Sequence, residues 1–208
     1  MLVEQLIADG FAGLEFAAGL PGTIGGGIAG NAGCFGHTLS DFLVRATVVD
    51  AQGAVHEIAN REWFRFQYRH SKLLGNRMVL TEATFAVCPD DAGRLRTESD
   101  KYLAVRAEKH PRKHVQTAGS YFKNLPPEKE GERYRAAGAL LDQVGARNLS
   151  VGDAAVFERH ANIIINRDHA TATEVLTLAA QMKQRVRERF GVVLSEEVRF
   201  VGKRPAEL

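Results

Sequence analysis

The sequence predicts an α+β fold, because three regions of the chain differ in composition and in predicted secondary structure. Residues 19–36 hold eight glycines and almost no charge. A stretch rich in predicted strands follows, and beyond it two predicted helices are mixed with further short strands. A chain of 208 residues, of which 45% are hydrophobic, is long enough to bury one large core or two small ones.

The strand-rich stretch predicts a hairpin, a third strand and a helix. Residues 43–50 and 54–59 flank a short Ala-Gln-Gly turn, which is typical of a hairpin. Residues 78–87 are rich in β-branched side chains and predict a third strand. Residues 94–109 are helical in composition and stop shortly before a proline, which cannot continue a helix.

The remaining residues predict a compact α+β unit. Residues 135–145 form a predicted short helix that ends on a glycine. The apolar runs 154–158 and 162–166 predict two strands. The clearest helix, 171–191, begins with capping-box spacing and ends on a glycine, and EEVRFVG at 196–202 predicts a final strand. The apolar face of that helix comprises Val175, Leu178, Ala179, Met182 and Val186.

Composition excludes several classes of protein. The 27 basic and 25 acidic residues nearly balance, whereas a general nucleic-acid binder shows a marked basic excess. Cys34 and Cys88 have no metal-ligand spacing, and they predict reduced thiols. The first ten residues carry no basic side chain, so they are not a secretory signal, and no apolar run is long enough for a membrane span. We therefore expect a cytoplasmic protein.

The glycine-rich segment 19–36 is the first candidate site. Glycines let backbone amides approach a ligand closely, which suits a pyrophosphate or a flat ring. The segment does not follow the dinucleotide G-x-G-x-x-G pattern in a strand–helix context, and it lacks the lysine of a P-loop. A tight structural loop and a ligand cradle both remain open. The density of glycines beside Asn31 favours the cradle.

Two groups of cations are further candidates. Arg69 lies among aromatic residues in FRFQYRHS, where it either rests on an aromatic surface or faces an anion or electron-rich ring. The run 106–114 contains four cationic side chains, which form either a solvated face or a diphosphate site. His110 and His114 are four residues apart, but the intervening Pro111 disfavours a helical zinc site.

A serine and a pair of glutamates complete the candidates. Ser120 in AGSYFKN lacks the G-x-S-x-G context of a hydrolase nucleophile, so a role as proton donor is the alternative. Glu196 and Glu197 open the predicted last strand. By alternation, one carboxylate faces solvent and the other faces the opposite side of the strand.

Together these segments resemble the UDP-N-acetylenolpyruvoylglucosamine reductases. Five motifs occur in the order and spacing of that family, and they cover residues 13–202. The motifs are GLEFAAGLPGTIGGGIAGNAGCFG, FQYRHS, AGSYFKN, AAVFERHANIIIN and EEVRFVG. The short interval between Arg69 and Ser120 resembles the more compact of the family's two forms.

The resemblance implies a fold and a reaction. Residues 1–109 would form the C-terminal part of an FAD-binding domain of the vanillyl-alcohol-oxidase type. Residues 110–208 would form an α+β domain that binds a UDP-sugar and carries a catalytic C-terminal strand. NADPH would reduce FAD, and the flavin would then reduce UDP-N-acetylglucosamine enolpyruvate to UDP-N-acetylmuramate for peptidoglycan. We expect a monomer with no nucleic-acid or membrane partner.

The resemblance also implies site residues. Ser120 would protonate the enolate-like intermediate, while Arg69 and Glu197 would polarise the substrate carboxylate and stabilise the enolate. The residues matched to flavin binding are Gly22, Thr23, Gly25, Gly26, Gly27, Gly30, Asn31, Gly33 and Cys34. The residues matched to UDP-sugar binding are Lys109, Asn124, Arg106, Lys123, His160 and Arg199.

The chain departs from the family pattern in three places. Phe35 stands where tyrosine is common, and FKNLPP contains an additional Leu125. The family also has a preceding G-G-G-S-N loop that grips the FAD pyrophosphate, and nothing before Met1 supplies it. Two alternatives stay open: a reductase whose chain extends upstream, and a fragment that binds the UDP-sugar but is inactive because its FAD site is incomplete.

Overall fold

The computed structural model describes residues 2–129, 131–132 and 134–202. The chain divides into two compact units, Met1–Arg106 and Ala107–Leu208. Each unit has its own hydrophobic core. Within the described residues, no helix combines the length and the apolar character that crossing a bilayer requires.

The first unit contains helices around small antiparallel sheets. Its helices are α1 (Leu2–Ala8), α2 (Ile24–Ala29), α3 (Leu39–Phe42) and α4 (Ala92–Lys109). Its strands are β1 (Phe11–Ala12), β2 (Gly33–Cys34), β3 (His37–Thr38), β4 (Leu43–Val49), β5 (Val55–Ile58), β6 (Val79–Phe85) and β7 (Cys88–Pro89). Short 3₁₀ turns cover Glu15–Ala17 and Arg61–Phe64.

The central sheet of this unit has the order β5-β4-β6, and β1 pairs with β7 and β2 with β3. The predicted hairpin and third strand are therefore confirmed. Asp50 closes the hairpin turn, because its carboxylate accepts hydrogen bonds from the amides of Gln52 and Ala54. The core beneath the sheet comprises Leu14, Phe16, Ile28, Leu39, Leu43, Ala46, Val48, Phe64 and Leu73.

The glycine-rich segment is not a loop throughout, because its middle forms the short helix α2. Thr23 caps this helix: its Oγ1 accepts a hydrogen bond from the Gly26 amide at 3.1 Å. A threonine cap satisfies one of the amides that a first helical turn leaves without a partner. Local capping therefore overcomes the low helix propensity of three consecutive glycines.

The second unit contains a four-stranded antiparallel sheet of order β8-β11-β10-β9 and two helices. The strands are β8 (Gln116–Ser120), β9 (Ser150–Val151), β10 (Ala154–Phe157) and β11 (His160–Asn166). The helices are α5 (Ala137–Gln143) and α6 (Ala172–Phe190), with a 3₁₀ turn at Ala146–Asn148.

Helix α6 follows its sequence signals closely. Thr171 and Glu174 form the predicted capping box, and Gly191 ends the helix in the left-handed conformation with φ of 67°. Of the predicted apolar face, Leu178, Ala179, Met182 and Val186 are buried in the core of the second unit, and Val175 packs against it. The predicted helix and its apolar face are confirmed.

The prediction of a strand over 196–202 is wrong, whereas the catalytic role predicted for this segment stays a prediction. Residue Glu196 forms only an isolated bridge with Phe122, and the residues after it belong to no strand. The pairing ends because the segment leaves the sheet: Val198 still packs on the core, but Val201 is 93% exposed. The alternation of apolar residues in this segment therefore does not produce a strand with one buried side.

Candidate functional site

Within the first unit, the segment around Arg69 is hydrogen-bonded to the glycine-rich segment. Arg69 Nη2 donates to the Gly33 carbonyl oxygen at 2.9 Å. Ser71 Oγ donates to the Ala29 carbonyl oxygen at 2.7 Å, and Ser71 is fully buried. Buried hydroxyls require such partners, so both bonds help to hold the two segments together. Two motifs far apart in the sequence thus form one structural element.

Arg69 has an unusual backbone conformation, with φ of 53°. Positive φ is uncommon outside glycine and persists only where surrounding contacts compensate for it. Its guanidinium carbon lies 5.0 Å from the centroid of the Tyr68 ring, and its Nη2 binds Gly33. The aromatic contact expected for this arginine is therefore present, its bond to Gly33 is a contact that the sequence did not predict, and the role of facing an anion stays a prediction.

Asn31 is built into the same element rather than left at its surface. It is 5% exposed, and its φ is 44°. Its Nδ2 donates to the Gln67 carbonyl oxygen at 3.1 Å, and its Oδ1 accepts from the Ser40 amide at 3.3 Å. Both ends of the side-chain amide are bonded within the protein, so Asn31 shapes the segment.

The predicted cofactor glycines fall into two groups. A Cβ atom at Gly33 would lie 2.5 Å from the His37 carbonyl oxygen, and one at Gly27 would lie 2.7 Å from Leu39 Cδ1. These two positions need glycine for packing. Gly22 has φ of 128° and open space around it, so glycine is favoured there by the backbone conformation and not by packing. The exposed residues of the segment are Gly19, residues 21–24, Gly26, Phe35 and Gly36, and none of them carries a charge.

The other predicted cofactor positions have local roles as well. Thr23 caps α2, and Gly30 follows the last residue of that helix with φ of −85°. Gly25 lies inside α2, where a Cβ atom would be 3.6 Å from the Leu80 carbonyl oxygen. Ile24, at the start of α2, keeps 42% of its surface exposed. An uncharged surface with an exposed apolar side chain therefore runs along this edge of the first unit.

Cys34 and Arg106 form a contact inside the first unit. Cys34 Sγ donates to the Phe16 carbonyl oxygen at 3.1 Å and accepts from Arg106 Nη2 at 2.9 Å. The Arg106 guanidinium also lies 5.4 Å from the centroid of the Phe35 ring. Burial raises the pKa of the Cys34 thiol, although the charges of Arg106 and Arg69 act in the opposite direction. The structure thus brings Arg106 to the proposed flavin segment.

In the second unit, Ser120 is the last residue of β8 and pairs with Ile163 of β11. The chain then continues beside β11, because the Tyr121 amide donates to the Asn162 carbonyl oxygen at 2.7 Å. On its other side, the Tyr121 carbonyl oxygen accepts from the Glu197 amide at 2.8 Å. Glu197 is therefore bonded to the residue next to Ser120. The structure brings these two predicted catalytic residues together.

Lys123 and Asn124 lie on the same segment as Ser120. The Lys123 amide donates to the Ser195 carbonyl oxygen at 2.8 Å, which continues the pairing that holds Glu197. Asn124 Oδ1 accepts from the Ala137 amide at 3.2 Å, at the start of α5. The sequence motif AGSYFKN is thus anchored on both sides. Arg199 is exposed, two residues beyond Glu197.

His160 begins β11 and is partly buried. Its ring centroid lies 5.8 Å from that of His110, and a Cβ atom at Gly138 would lie 3.3 Å from its Cε1. Burial lowers the pKa of His160, the charge of Asp142 raises it, and smaller contributions from cations, Lys109 among them, lower it. Lys109 is the exposed last residue of α4, and its contribution to the pKa of His160 is the smallest of these.

Two surface hollows are lined by neighbours of Ser120 and Glu197: Glu196 in one, and Gly119, Tyr121 and Val198 in the other. One of about 820 Å³ runs along α6 and includes the Lys183–Glu196 ion pair. One of about 200 Å³ lies between β8, the end of β11 and the start of α6. Neither is lined by the predicted catalytic or sugar-binding residues. Within the described ranges, no three His, Cys, Asp or Glu side chains are grouped to hold a metal ion.

Asn162 is a residue that the sequence did not single out. It is 2% exposed, and its side-chain amide makes two hydrogen bonds to the backbone of Phe122. The available signal was a polar residue at the start of an otherwise apolar strand run. A buried asparagine must find partners, but the sequence does not show that these partners lie beside Ser120.

Comparison with known proteins decides the family. Residues 110–201 match the family model described as UDP-N-acetylenolpyruvoylglucosamine reductase, C-terminal domain. Residues 1–59 match an FAD binding domain. UDP-N-acetylenolpyruvoylglucosamine reductase 2 of Symbiobacterium thermophilum is 37% identical over 204 residues, which cover 98% of this chain and 63% of that protein. The reductase of Moorella thermoacetica is 39% identical over 201 residues, covering 97% and 63%.

A solved structure agrees. The crystal structure of UDP-N-acetylenolpyruvylglucosamine reductase from Thermus caldophilus is similar, with a TM-score of 0.78 and 31% identity, over 94% of this chain and 66% of that one. The chain belongs to the UDP-N-acetylenolpyruvoylglucosamine reductase family. It spans about three fifths of the length of the curated reductases it matches, for example 63% of the Symbiobacterium protein.

Membership in the reductase family confirms two expectations. The resemblance drawn from five motifs is confirmed, and so is the α+β fold class with a partial FAD-binding domain followed by the reductase C-terminal domain. Ser120 and Glu197 lie inside the matched C-terminal domain, whereas Arg69 and Arg106 lie outside both matched ranges. The roles of individual site residues in the reductase remain predictions.

Proposed function

We propose that this chain is part of an FAD-dependent reductase that uses NADPH to convert UDP-N-acetylglucosamine enolpyruvate into UDP-N-acetylmuramate for peptidoglycan synthesis. The names of its relatives support this proposal. The observation that carries it is the hydrogen bond from the Glu197 amide to the Tyr121 carbonyl oxygen. This bond joins the backbone of the glutamate to the residue that follows the serine of AGSYFKN, inside the domain that matches the reductases.

The reaction adds a hydride and a proton across a carbon–carbon double bond, and the catalytic residues serve the second step. We assign the proton to the Ser120 hydroxyl, which would deliver it to the carbon that carries the substrate carboxylate. Negative charge develops on this group before protonation, so a nearby cation stabilises it. Arg69 is the proposed cation, and Glu197 is the proposed hydrogen-bonding partner of the same group.

The residues of the first unit fit a flavin. Residues 21–24 and Gly26 form an exposed, uncharged surface, and Ile24 offers an apolar side chain to a flat ring. Gly22 has open space where a side chain would otherwise stand. The residues proposed for FAD binding are Gly22, Thr23, Gly25, Gly26, Gly27, Gly30, Asn31, Gly33 and Cys34. Those that are buried would contribute by shaping the segment. Bound FAD would pass on the hydride that it receives from NADPH.

The UDP-sugar is assigned to residues of the second unit together with the cation Arg106. A diphosphate is bound best by cationic and amide donors. The proposed contacts are Lys109, Asn124, Arg106, Lys123, His160 and Arg199. In terms of domains, we propose flavin binding for residues 1–109 and UDP-sugar binding for 110–208. A cytoplasmic monomer without nucleic-acid or membrane partners completes the proposal.

Binding and turnover measured on the 208-residue chain test this function. Calorimetry with UDP-N-acetylglucosamine enolpyruvate tests the sugar site, and the visible spectrum after addition of FAD tests the flavin site. Oxidation of NADPH that depends on the sugar substrate supports the full proposal. Sugar binding without flavin binding supports the alternative of an inactive UDP-sugar-binding fragment. If the chain binds neither ligand, the proposed function is wrong.

A further inference from the structure

The side chain of Asn162 bonds to the chain that follows Ser120. Its Oδ1 accepts from the Phe122 amide at 2.9 Å, and its Nδ2 donates to the Phe122 carbonyl oxygen at 2.8 Å. One side chain therefore bonds both polar groups of one residue, as a neighbouring strand would. Its own carbonyl oxygen accepts from the Tyr121 amide at 2.7 Å. Asn162 thus makes three hydrogen bonds to two consecutive residues.

This arrangement has a topological reason. The pairing of β8 with β11 shifts register between Ile163 and Ile165, and the regular part of β8 ends at Ser120. Beyond that point, Phe122 is 1% exposed, so water cannot satisfy its backbone groups. The buried Asn162 amide takes the place of the missing backbone partner.

The opposite side of the same segment holds Glu197. The Tyr121 carbonyl oxygen accepts from the Glu197 amide at 2.8 Å and from the Val198 amide at 3.4 Å. Phe122 also forms the isolated bridge with Glu196. The segment after Ser120 is thus bonded to Asn162 on one side and to the backbone around Glu197 on the other.

We propose that Asn162 is a positioning residue that sets Ser120 and Glu197 relative to each other. It touches neither reacting group. It acts by holding Tyr121, which directly follows Ser120 and accepts the bond from Glu197, and the next residue, Phe122. Losing the amide frees one side of this segment. The positions of Ser120 and Glu197 relative to each other are then no longer fixed. The catalytic consequence rests on the proposed function, whereas the structural consequence does not.

The first test is amide hydrogen exchange, resolved by residue, on the 208-residue chain. In the unchanged chain, the amides of Phe122 and Glu197 should exchange only with global opening of the second unit. In Asn162→Ala, both should exchange about tenfold to a hundredfold faster, because a buried donor and acceptor lose their partners. Rapid Phe122 exchange in the unchanged chain overturns the proposal without need of any variant.

Asn166 provides the matched control, because it lies at the other end of β11 and donates through Nδ2 to Gln116 at 2.8 Å. Asn162→Asp and Asn166→Asp each lose one NH₂ donor. Only Asn162→Asp should accelerate exchange at Phe122 and Glu197. An equal effect of the two substitutions, or an effect at Phe122 that does not reach Glu197, contradicts the proposed coupling.

The second test separates positioning from general loss of structure. In a preparation that turns over, Asn162→Ala should lower the rate of reduction of the enolpyruvyl sugar at least about tenfold and leave flavin reduction by NADPH unchanged. A merely structural role would reduce both half-reactions together. If exchange responds as expected but the unchanged protein does not reduce the sugar, the proposed function fails and the positioning role of Asn162 stands.

Discussion

The Arg69 guanidinium and the Gly33 carbonyl oxygen lie 2.9 Å apart, although the two residues are 36 positions apart in the sequence. This bond connects the arginine proposed for catalysis with the segment proposed to hold the flavin. A charged donor makes a stronger hydrogen bond than a neutral one. The same guanidinium is therefore committed in part to shaping the glycine-rich segment.

Arg69→Lys tests this double role. Lysine lacks the planar fork of arginine, so it cannot bind Gly33 and present a second donor in the same geometry. We expect a loss of about 1 kcal/mol in unfolding free energy and roughly a hundredfold lower kcat for sugar reduction. Denaturant unfolding and steady-state kinetics measure the two effects. Arg65→Lys is the control, since Arg65 is exposed and also has positive φ, 47°. Equal behaviour of both variants would contradict the assignment.

Ser120→Ala should abolish reduction of the enolpyruvyl sugar and leave flavin reduction by NADPH intact. Only the half-reaction that ends with a proton on carbon requires the hydroxyl. Stopped-flow absorbance follows the two half-reactions separately. The exposed Ser150 supplies the control substitution Ser150→Ala, which should change neither. Equal losses in both half-reactions of Ser120→Ala would show that Ser120 is not the acid.

Lys109→Ala should weaken binding of the UDP-sugar and reduce the dependence of that binding on salt. Cation–diphosphate contacts are screened by ions, so their removal leaves a less salt-sensitive remainder. Calorimetry at two ionic strengths measures this. Lys101→Ala is the matched control, because Lys101 is exposed on the same helix α4. Unchanged affinity in Lys109→Ala would show that Lys109 does not contact the diphosphate and only faces solvent.

His160 should make the second unit less stable in mild acid. Burial lowers its pKa in the folded state, so the unfolded chain takes up the proton first as pH falls. The stabilising contribution is present above the ordinary histidine value of about 6.5 and is lost below it. Unfolding free energy measured from pH 7.5 to about 5.5 should therefore decline, and His160→Gln should reduce the slope. His169→Gln, at an 88% exposed side chain, should not.

Much of the local structure follows from the sequence alone. The capping box at Thr171 and the stop at Gly191 predicted α6, because the signals for its ends are local. The β4–β5 hairpin was predicted for the same reason. The structure of residues 196–202 was not, because EEVRFVG alternates as a strand does but forms only an isolated bridge at Glu196. Strand pairing depends on a neighbour that the segment itself does not specify.

The sequence by itself determined the family, the α+β fold class, the approximate limits of α4, α5 and α6, and the β4–β5 hairpin, since these depend on motif order and short-range capping and turn signals. Only the tertiary structure showed that Arg69 is bonded to Gly33, that Arg106 is bonded to Cys34, and that the Glu197 amide is bonded beside Ser120. It also showed that Asn162 is bonded to Phe122, 40 residues away. These contacts join residues distant in the chain, and they form because buried polar groups must find partners wherever the fold brings them.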